Sequence, residues 1–214
     1  MFAKVFDFSI VKRAQQKGLV NIKFLNLRSW ATDKHKTVDD KPYGGGPGML
    51  LKVDVVDRAL KQIKDSSTYN PKTSRIYLLD ARGKTFNQNM AVQLSELKEL
   101  TLVSGHYEGV DYRVQKYLVD GVISVGNFVL SGGEIPAMVI VDTVTRLVPG
   151  VIDPASLEEE SFTFNKTSKG VKDLEKEYPQ YTRPVTYNGW SVPKILLSGD
   201  HKKITDWKTK RRAK

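Results

Sequence analysis

Cysteine is absent from the 214 residues, and histidine occurs only at positions 35, 106 and 201. A disulfide framework cannot form, and a structural zinc site has almost no ligands to draw on. The lack of cysteine is compatible with a reducing compartment. No apolar run reaches the roughly 20 residues that a bilayer-spanning helix needs. The N-terminus lacks the basic, apolar and small-residue order of a secretory signal. A cytoplasmic protein with no membrane partner is the expectation. The G-x-S-x-G elbow of esterase-type serines is missing as well. Gly83-Lys84-Thr85 looks like the end of a phosphate-binding loop, but Leu78 stands where that motif requires glycine. The run Gly44-Gly45-Gly46-Pro47-Gly48 does not have the G-x-G-x-x-G spacing of dinucleotide folds.

What remains is a repeated pattern of short apolar runs that end in glycine. Gly121 to Val125 runs into Gly126, a tight segment follows, and Gly132-Gly133 precedes the apolar stretch Ile135 to Val148. Arg75 to Asp80 runs into Ala81-Arg82-Gly83, and Leu100 to Ser104 runs into Gly105-His106-Tyr107-Glu108-Gly109. Met90, Leu94 and Leu97 share a helical face between the first two strands. Val110, Val114 and Tyr117 share another before the last strand. Strand, helix, strand, helix, strand predicts an α/β fold with a parallel sheet and right-handed crossovers. Ligands of such sheets sit beyond the carboxyl ends of the strands. Glycine there lets backbone approach a bound molecule closely. Ordinary βα turns use glycine too, so each loop alone is weak; three in succession point to one small-molecule pocket.

Longer blocks carry a resemblance. They are 33–49 (DKHKTVDDKPYGGGPGM), 104–114 (SGHYEGVDYRV), 123–137 (ISVGNFVLSGGEIPA), 146–151 (RLVPGV), 160–162 (ESF), 177–184 (EYPQYTRP) and 192–201 (VPKILLSGDH). In this order, over almost the whole chain, they resemble the bacterial tRNA (guanine-N1)-methyltransferases that act at position 37, the TrmD family of the SPOUT superfamily. The resemblance implies a SPOUT-type parallel sheet with a deep trefoil knot and a small helical C-terminal domain. It implies S-adenosylmethionine as cofactor, bound in bent form inside the knot, with Mg2+ also used in the family. Its partners would be tRNA and a second copy of the chain, with active sites shared across the dimer and no role for DNA. Carried over by position, the cofactor residues are Leu79, Gly105, Tyr107 and Glu108 from the first two loops. From the third they are Ser124, Val125, Gly126, Asn127, Phe128, Val129 and Leu130, followed by Gly132, Gly133 and Pro136.

The composition agrees with an RNA substrate: Lys and Arg total 34 against 24 for Asp and Glu, a formal net charge of +10. Such a surplus attracts phosphates regardless of sequence. It is concentrated in the last fourteen residues, where Lys202, Lys203, Lys208, Lys210, Arg211 and Arg212 are expected to contact RNA. A charge run alone is more often a solvated tail. The family's C-terminal domain, which holds the anticodon region, gives this one its RNA reading.

Methylating N1 of guanine requires removal of the proton that N1 carries near neutral pH, and a general base must take it. Negative charge then develops on the neighbouring carbonyl oxygen, where a cation stabilises it. The resemblance supplies a carboxylate directly before Ser161-Phe162 and an arginine on the preceding helix. Those positions hold Glu160 and Arg146. The family usually has aspartate at the former, so the extra methylene of Glu160 displaces the basic oxygens. Asp80-Ala81 stands where the family often has Ser-Pro, and Asn127 where it often has Asp. By position the chain divides into a methyltransferase domain at 1–152, a linker at 153–170 and a tRNA-binding domain at 171–214. The family's first strand, ending in Leu-Phe-Pro-Glu, has no counterpart before Met1-Phe2. A late start or a truncated protein is expected, and with it the alternative of a catalytically impaired RNA-binding relic.

Overall fold

Alternation of side chains in the segment beginning at Ser74 makes it a strand with two buried faces. Ile76 and Leu78 point into one apolar cluster, Tyr77 and Leu79 into another. The computed structural model describes residues 2–158, 160–162 and 176–212. The expected linker and the start of the expected C-terminal domain thus lie partly outside the described residues. The chain divides into two compact units, residues 1–152 and 153–214.

In the first unit, helices α1 (Phe2–Val5) and α2 (Ser9–Gln16) precede a two-stranded antiparallel ribbon of β1 (Asp39–Asp40) and β2 (Leu50–Leu51). Helix α3 (Val53–Lys64) follows, then strand β3 (Ser74–Thr85), helix α4 (Gln88–Ser95) and strand β4 (Glu99–Ser104). Helix α5 (Tyr112–Tyr117), strand β5 (Gly121–Ser124) and helix α6 (Glu134–Leu147) complete it. The sheet has the order β4-β3-β5 and is parallel throughout. On one face, Val55, Val56 and Leu60 of α3 and Val114 of α5 cover Ile76, Leu78 and Val103. On the other, Leu94 of α4 and Ala137 and Ile140 of α6 cover Leu79 and Ile123. Asn87 caps α4 by accepting from the Met90 amide at 3.0 Å, and Asp111 caps α5 by accepting from the Arg113 amide at 2.9 Å.

Two expectations are corrected in detail. Leu97 lies beyond the end of α4, although it still packs on the second cluster. Val110 precedes α5 and forms a parallel bridge with Leu51, while Tyr117 is exposed, so only Val114 of that predicted face is a buried helical residue. The described chain opens in two short helices, and Ser9 at the start of the second adopts φ +51°. Helix α6 is buried on one side: Ile140 is fully enclosed, whereas Ile135 and Val139 are each 44% exposed.

Strand β3 contains the least regular feature of the sheet. Leu79 pairs with Ile123, and five residues later Lys84 pairs with Ile123 again. Residues 80–83 therefore form an excursion from the strand, after which the chain returns to the same β5 neighbour. Gly83 makes the return possible, since a Cβ there would sit 2.6 Å from the Ile123 carbonyl carbon.

The second unit begins with the short helix α7 (Pro154–Glu158) and includes a hairpin of β6 (Thr186–Tyr187) and β7 (Trp190–Ser191). Asn188 (φ +47°) and Gly189 (φ +82°) supply the two positive-φ positions that a two-residue hairpin turn of this hand requires. Helix α8 (His201–Arg211) closes the described part, capped by Asp200, which accepts from the Lys203 amide at 3.1 Å. The region expected to be helical thus includes a hairpin as well.

Asp120, at the entry to β5, accepts a hydrogen bond from the buried amide of Ile76 at 2.7 Å, and its own amide donates to the Ile76 carbonyl at 2.8 Å. Replacement by alanine leaves that amide without an acceptor. Asp120→Ala should lower stability by about 1–3 kcal/mol, and Asp120→Asn, which keeps an acceptor, by less. Urea unfolding of the three proteins checks this. Equal midpoints for alanine and parent would show that the side chain does not anchor β5.

Candidate active site

The carboxyl ends of β3, β4 and β5 open into one cavity of about 420 Å3. Its walls come from the 80–83 excursion, from the loop Gly105–Val110 after β4, and from the segment Ser124–Gly133 between β5 and α6. These walls are tied together backbone to backbone. The Gly133 amide donates to the Gly105 carbonyl at 2.7 Å, His106 and Gly132 form an antiparallel bridge, and the Ser104 hydroxyl donates to the Gly133 carbonyl at 3.2 Å. A Cβ on Gly133 would lie 2.7 Å from the Ser104 Cα and 2.8 Å from the Gly105 nitrogen. Within the third loop, the Gly126 amide donates to the Ser124 hydroxyl at 3.2 Å, and that hydroxyl contacts the Gly126 carbonyl at 3.0 Å.

Of the fourteen residues expected to hold a cofactor, thirteen line this cavity, and Asn127 does not. Leu50, Asp80, Ala81, Arg82, His106, Gly109, Val110, Tyr112, Ile123 and Ser131 line it beside them. Asp80 and Arg82 are the most consequential of these. The Asp80 carboxylate accepts from Arg82 Nε at 3.0 Å, from Nη2 at 2.9 Å and from the Arg82 amide at 2.9 Å. The hydrogen bonds from the Arg82 side chain hold the Asp80 carboxyl below the usual carboxylate range. The sequence signal was available, because an acid two residues before an arginine at a strand end is a ready-made clamp.

Arg146 lies in the last turn of α6, in the first unit, and is half-buried. Glu160 lies in the second unit, half-buried at a bend. The next residue is held from the Glu-Tyr-Pro block. Glu177 Oε1 accepts from the Ser161 amide at 3.2 Å, and the Glu177 amide donates to the Ser161 hydroxyl at 2.9 Å. Gln180 donates to the other Glu177 oxygen at 3.1 Å. Sequence reading attached no role to Glu177.

Of the six expected RNA contacts, Lys202, Lys203, Lys208, Lys210 and Arg211 lie on α8, and Arg212 is its C-cap. Lys208 Nζ sits 4.6 Å from the centre of the Tyr178 ring, and the Arg211 guanidinium 5.8 Å from that of Trp207. Tyr181 and Trp207 approach within 6.3 Å. Lys202 and Lys203 occupy the first turn, where the helix dipole disfavours positive charge. Lys203 is offset by Asp200 at 3.0 Å.

The profile of the family described as tRNA (Guanine-1)-methyltransferase TrmD matches residues 1–214, the entire chain. The chain belongs to this family. A tRNA (guanine-N(1)-)-methyltransferase of Dictyoglomus turgidum is 51% identical to it over 98% of the chain and 80% of the relative. The protein of that name from Carboxydothermus hydrogenoformans is 46% identical, over 98% and 78%. The one from Ehrlichia ruminantium is 43% identical, over 98% and 84%.

The contact of Gly133 is with backbone, which cannot swing aside. Gly133→Ala should therefore cost about 1–3 kcal/mol through overpacking. At Gly132 the nearest obstacle is the Glu134 carboxylate, the end of a flexible side chain. Gly132→Ala should be the milder of the two. Thermal unfolding ranks the pair, and the reverse order would disprove the backbone contact at Gly133.

Proposed function

We propose that this protein transfers the methyl group of S-adenosylmethionine to N1 of a guanine in tRNA, at position 37 beside the anticodon. Membership of the family and the single cavity at three glycine-rich strand ends support the reading together. The cavity volume falls in the range of about 300–1,000 Å3 typical of small-ligand sites. Its walls offer backbone groups at close range, which suits an adenine and ribose. S-adenosylmethionine, when bound, supplies a methyl group already activated on a sulfonium. The remaining task is to position the guanine and take its proton.

Glu160 is the base in this proposal, accepting the N1 proton. Arg146 is the cation that stabilises charge on the guanine carbonyl oxygen and orients the base. Leu79, Gly105, Tyr107, Glu108 and the residues from Ser124 to Pro136 that line the cavity hold the cofactor. Glu177 fixes the peptide group between Glu160 and Ser161, and with it the direction in which the carboxylate leaves the chain. The SPOUT knot belongs to the same proposal, and the return of β3 to Ile123 after the 80–83 excursion fits it. A homodimer with shared sites is supported by Ile135 and Val139, apolar residues left open on α6. The domain that grips tRNA is the second unit, through the cations of α8 and the aromatic rings beside them. A cytoplasmic location accords with a tRNA substrate, and among the described residues no helix is long and apolar enough to cross a membrane. Among the described residues no group of three or more histidine, aspartate or glutamate side chains gathers to hold the Mg2+ that the resemblance implies. The relic alternative has less support, because the cavity walls are complete and Arg146 is present.

Single-turnover methylation of tRNA bearing guanine at position 37 tests the proposal. Glu160→Gln should leave cofactor binding nearly intact and slow transfer by roughly 100- to 10,000-fold, the range of a lost general base. Glu160→Asp restores the family's usual residue and should keep or raise the rate. A parental rate for Glu160→Gln would remove Glu160 from the chemistry, and equal methylation of unrelated RNAs would refute the substrate.

Deleting residues 208–214 removes Lys208, Lys210, Arg211, Arg212 and Lys214. This should weaken tRNA binding and flatten its dependence on salt, since fewer phosphate counterions are released. Turnover at saturating tRNA should change much less. An unchanged salt slope in filter-binding titrations would place the RNA elsewhere.

A further inference from the structure

The cavity wall holds an acid–arginine pair that the chemistry above leaves without a role. Arg82 is the only lysine or arginine among the described residues that line it, and Asp80 and Glu108 are the acids. Two of the three guanidinium nitrogens of Arg82 face Asp80, and the third, Nη1, makes no hydrogen bond among the described residues. The Asp80 side chain is 13% exposed and that of Arg82 is 62% exposed, so the acid is sunk in the wall and the arginine lies at the mouth. The excursion that carries them is closed at its far end by Gly83 against Ile123. The guanidinium is thus held in one orientation on a short, tethered loop.

We propose that Arg82, positioned by Asp80, recognises the carboxylate at the amino-acid end of S-adenosylmethionine through Nη1. This rests on the reading that the cavity holds that cofactor. A guanidinium with one edge pinned has little entropy left to lose, and it presents donors in a fixed fork. Pairing with Asp80 also cancels most of its long-range field, so it suits a directional contact at short range better than the attraction of RNA phosphates. The charges agree as well. Asp80, Glu108 and Arg82 sum to −1, and the cofactor, with its sulfonium, ammonium and carboxylate, sums to +1. Glu108 is left to face the cationic groups.

Calorimetric titration of the full chain tests this with two probes. S-adenosylhomocysteine keeps the amino-acid end, and 5′-methylthioadenosine lacks it. Arg82→Gln should weaken S-adenosylhomocysteine by about tenfold, the scale of one charge-assisted hydrogen bond, and leave methylthioadenosine unchanged. Arg82→Lys keeps the charge without the fork and should recover part of the loss. Asp80→Asn leaves the arginine unpinned and should fall between Arg82→Gln and the parent. Unfolding temperatures of the variants separate a recognition defect from a collapsed loop. Equal weakening of both probes by Arg82→Gln, or of neither, would overturn the proposal. So would unchanged S-adenosylhomocysteine affinity with weaker, less salt-dependent tRNA binding, which would make Arg82 a phosphate contact. A folded parent that binds neither probe would refute the cofactor reading itself and this inference with it.

Discussion

Gly133 lies so close to the end of β4 that no side chain fits between them: a Cβ would meet the Ser104 Cα at 2.7 Å. The amide of Gly133 binds the Gly105 carbonyl, and the Ser104 hydroxyl binds the carbonyl of Gly133. This contact pins the start of α6 against the neighbouring strand. Because α6 continues through Ala137 and Ile140 into the cluster around Leu79 and Ile123, the floor of the cavity and the core share one anchor. The segment from Ser124 to Ser131 is then a loop with both ends held, one by pairing with β3 and the other by Gly133. A ligand entering there meets walls already in place, which lowers the cost of ordering them on binding.

The strands were legible because apolar runs ending in glycine occurred three times, and all three became the neighbours β3, β4 and β5. Their loops were legible for the same reason, and thirteen of the fourteen expected cofactor positions line one cavity. The details that escaped depend on tertiary pairing. Nothing in a helical period distinguishes Val110, which bridges to Leu51, from Val114, which turns into α5. Leu97 kept its apolar contact after the helix had ended, since burial and helicity are separate demands. The excursion at 80–83 was hidden because its signature is a repeated partner, Ile123, and a partner cannot be read from one strand alone. Asn127 shares its sequence block with cavity residues but is not among the lining, which block-level resemblance cannot resolve.

The hairpin in the second unit shows the opposite case. Tyr187-Asn188-Gly189-Trp190 carries the strongest local turn signal in that region, and both turn residues adopt positive φ. The expectation of a helical domain overlooked it because the resemblance spoke for the region as a whole. Local chemistry was the better guide to these four residues.

The two units differ in the kind of force their surfaces can apply. The cavity offers mostly backbone groups and apolar surface, with one pinned arginine and two acids, so its selectivity comes from shape and direction. Helix α8 presents cations beside aromatic rings, where attraction is long-ranged and weakened by salt. Such a surface can hold an RNA without reading it closely. Within the same unit, Glu177 holds Ser161, the neighbour of Glu160, through two hydrogen bonds, and Gln180 donates to the other Glu177 oxygen. The proposed base is thus held by residues of its own unit, the unit that also carries the cations of α8. The cavity proposed for the cofactor, by contrast, is lined by residues of the first unit. That separation predicts independent failure of the two steps: substitutions at Glu177 should slow methyl transfer while leaving the affinity for S-adenosylhomocysteine at the parental value. Calorimetry beside single-turnover kinetics on Glu177→Gln and Glu177→Ala measures both, and a joint loss would show that the cavity depends on the second unit after all.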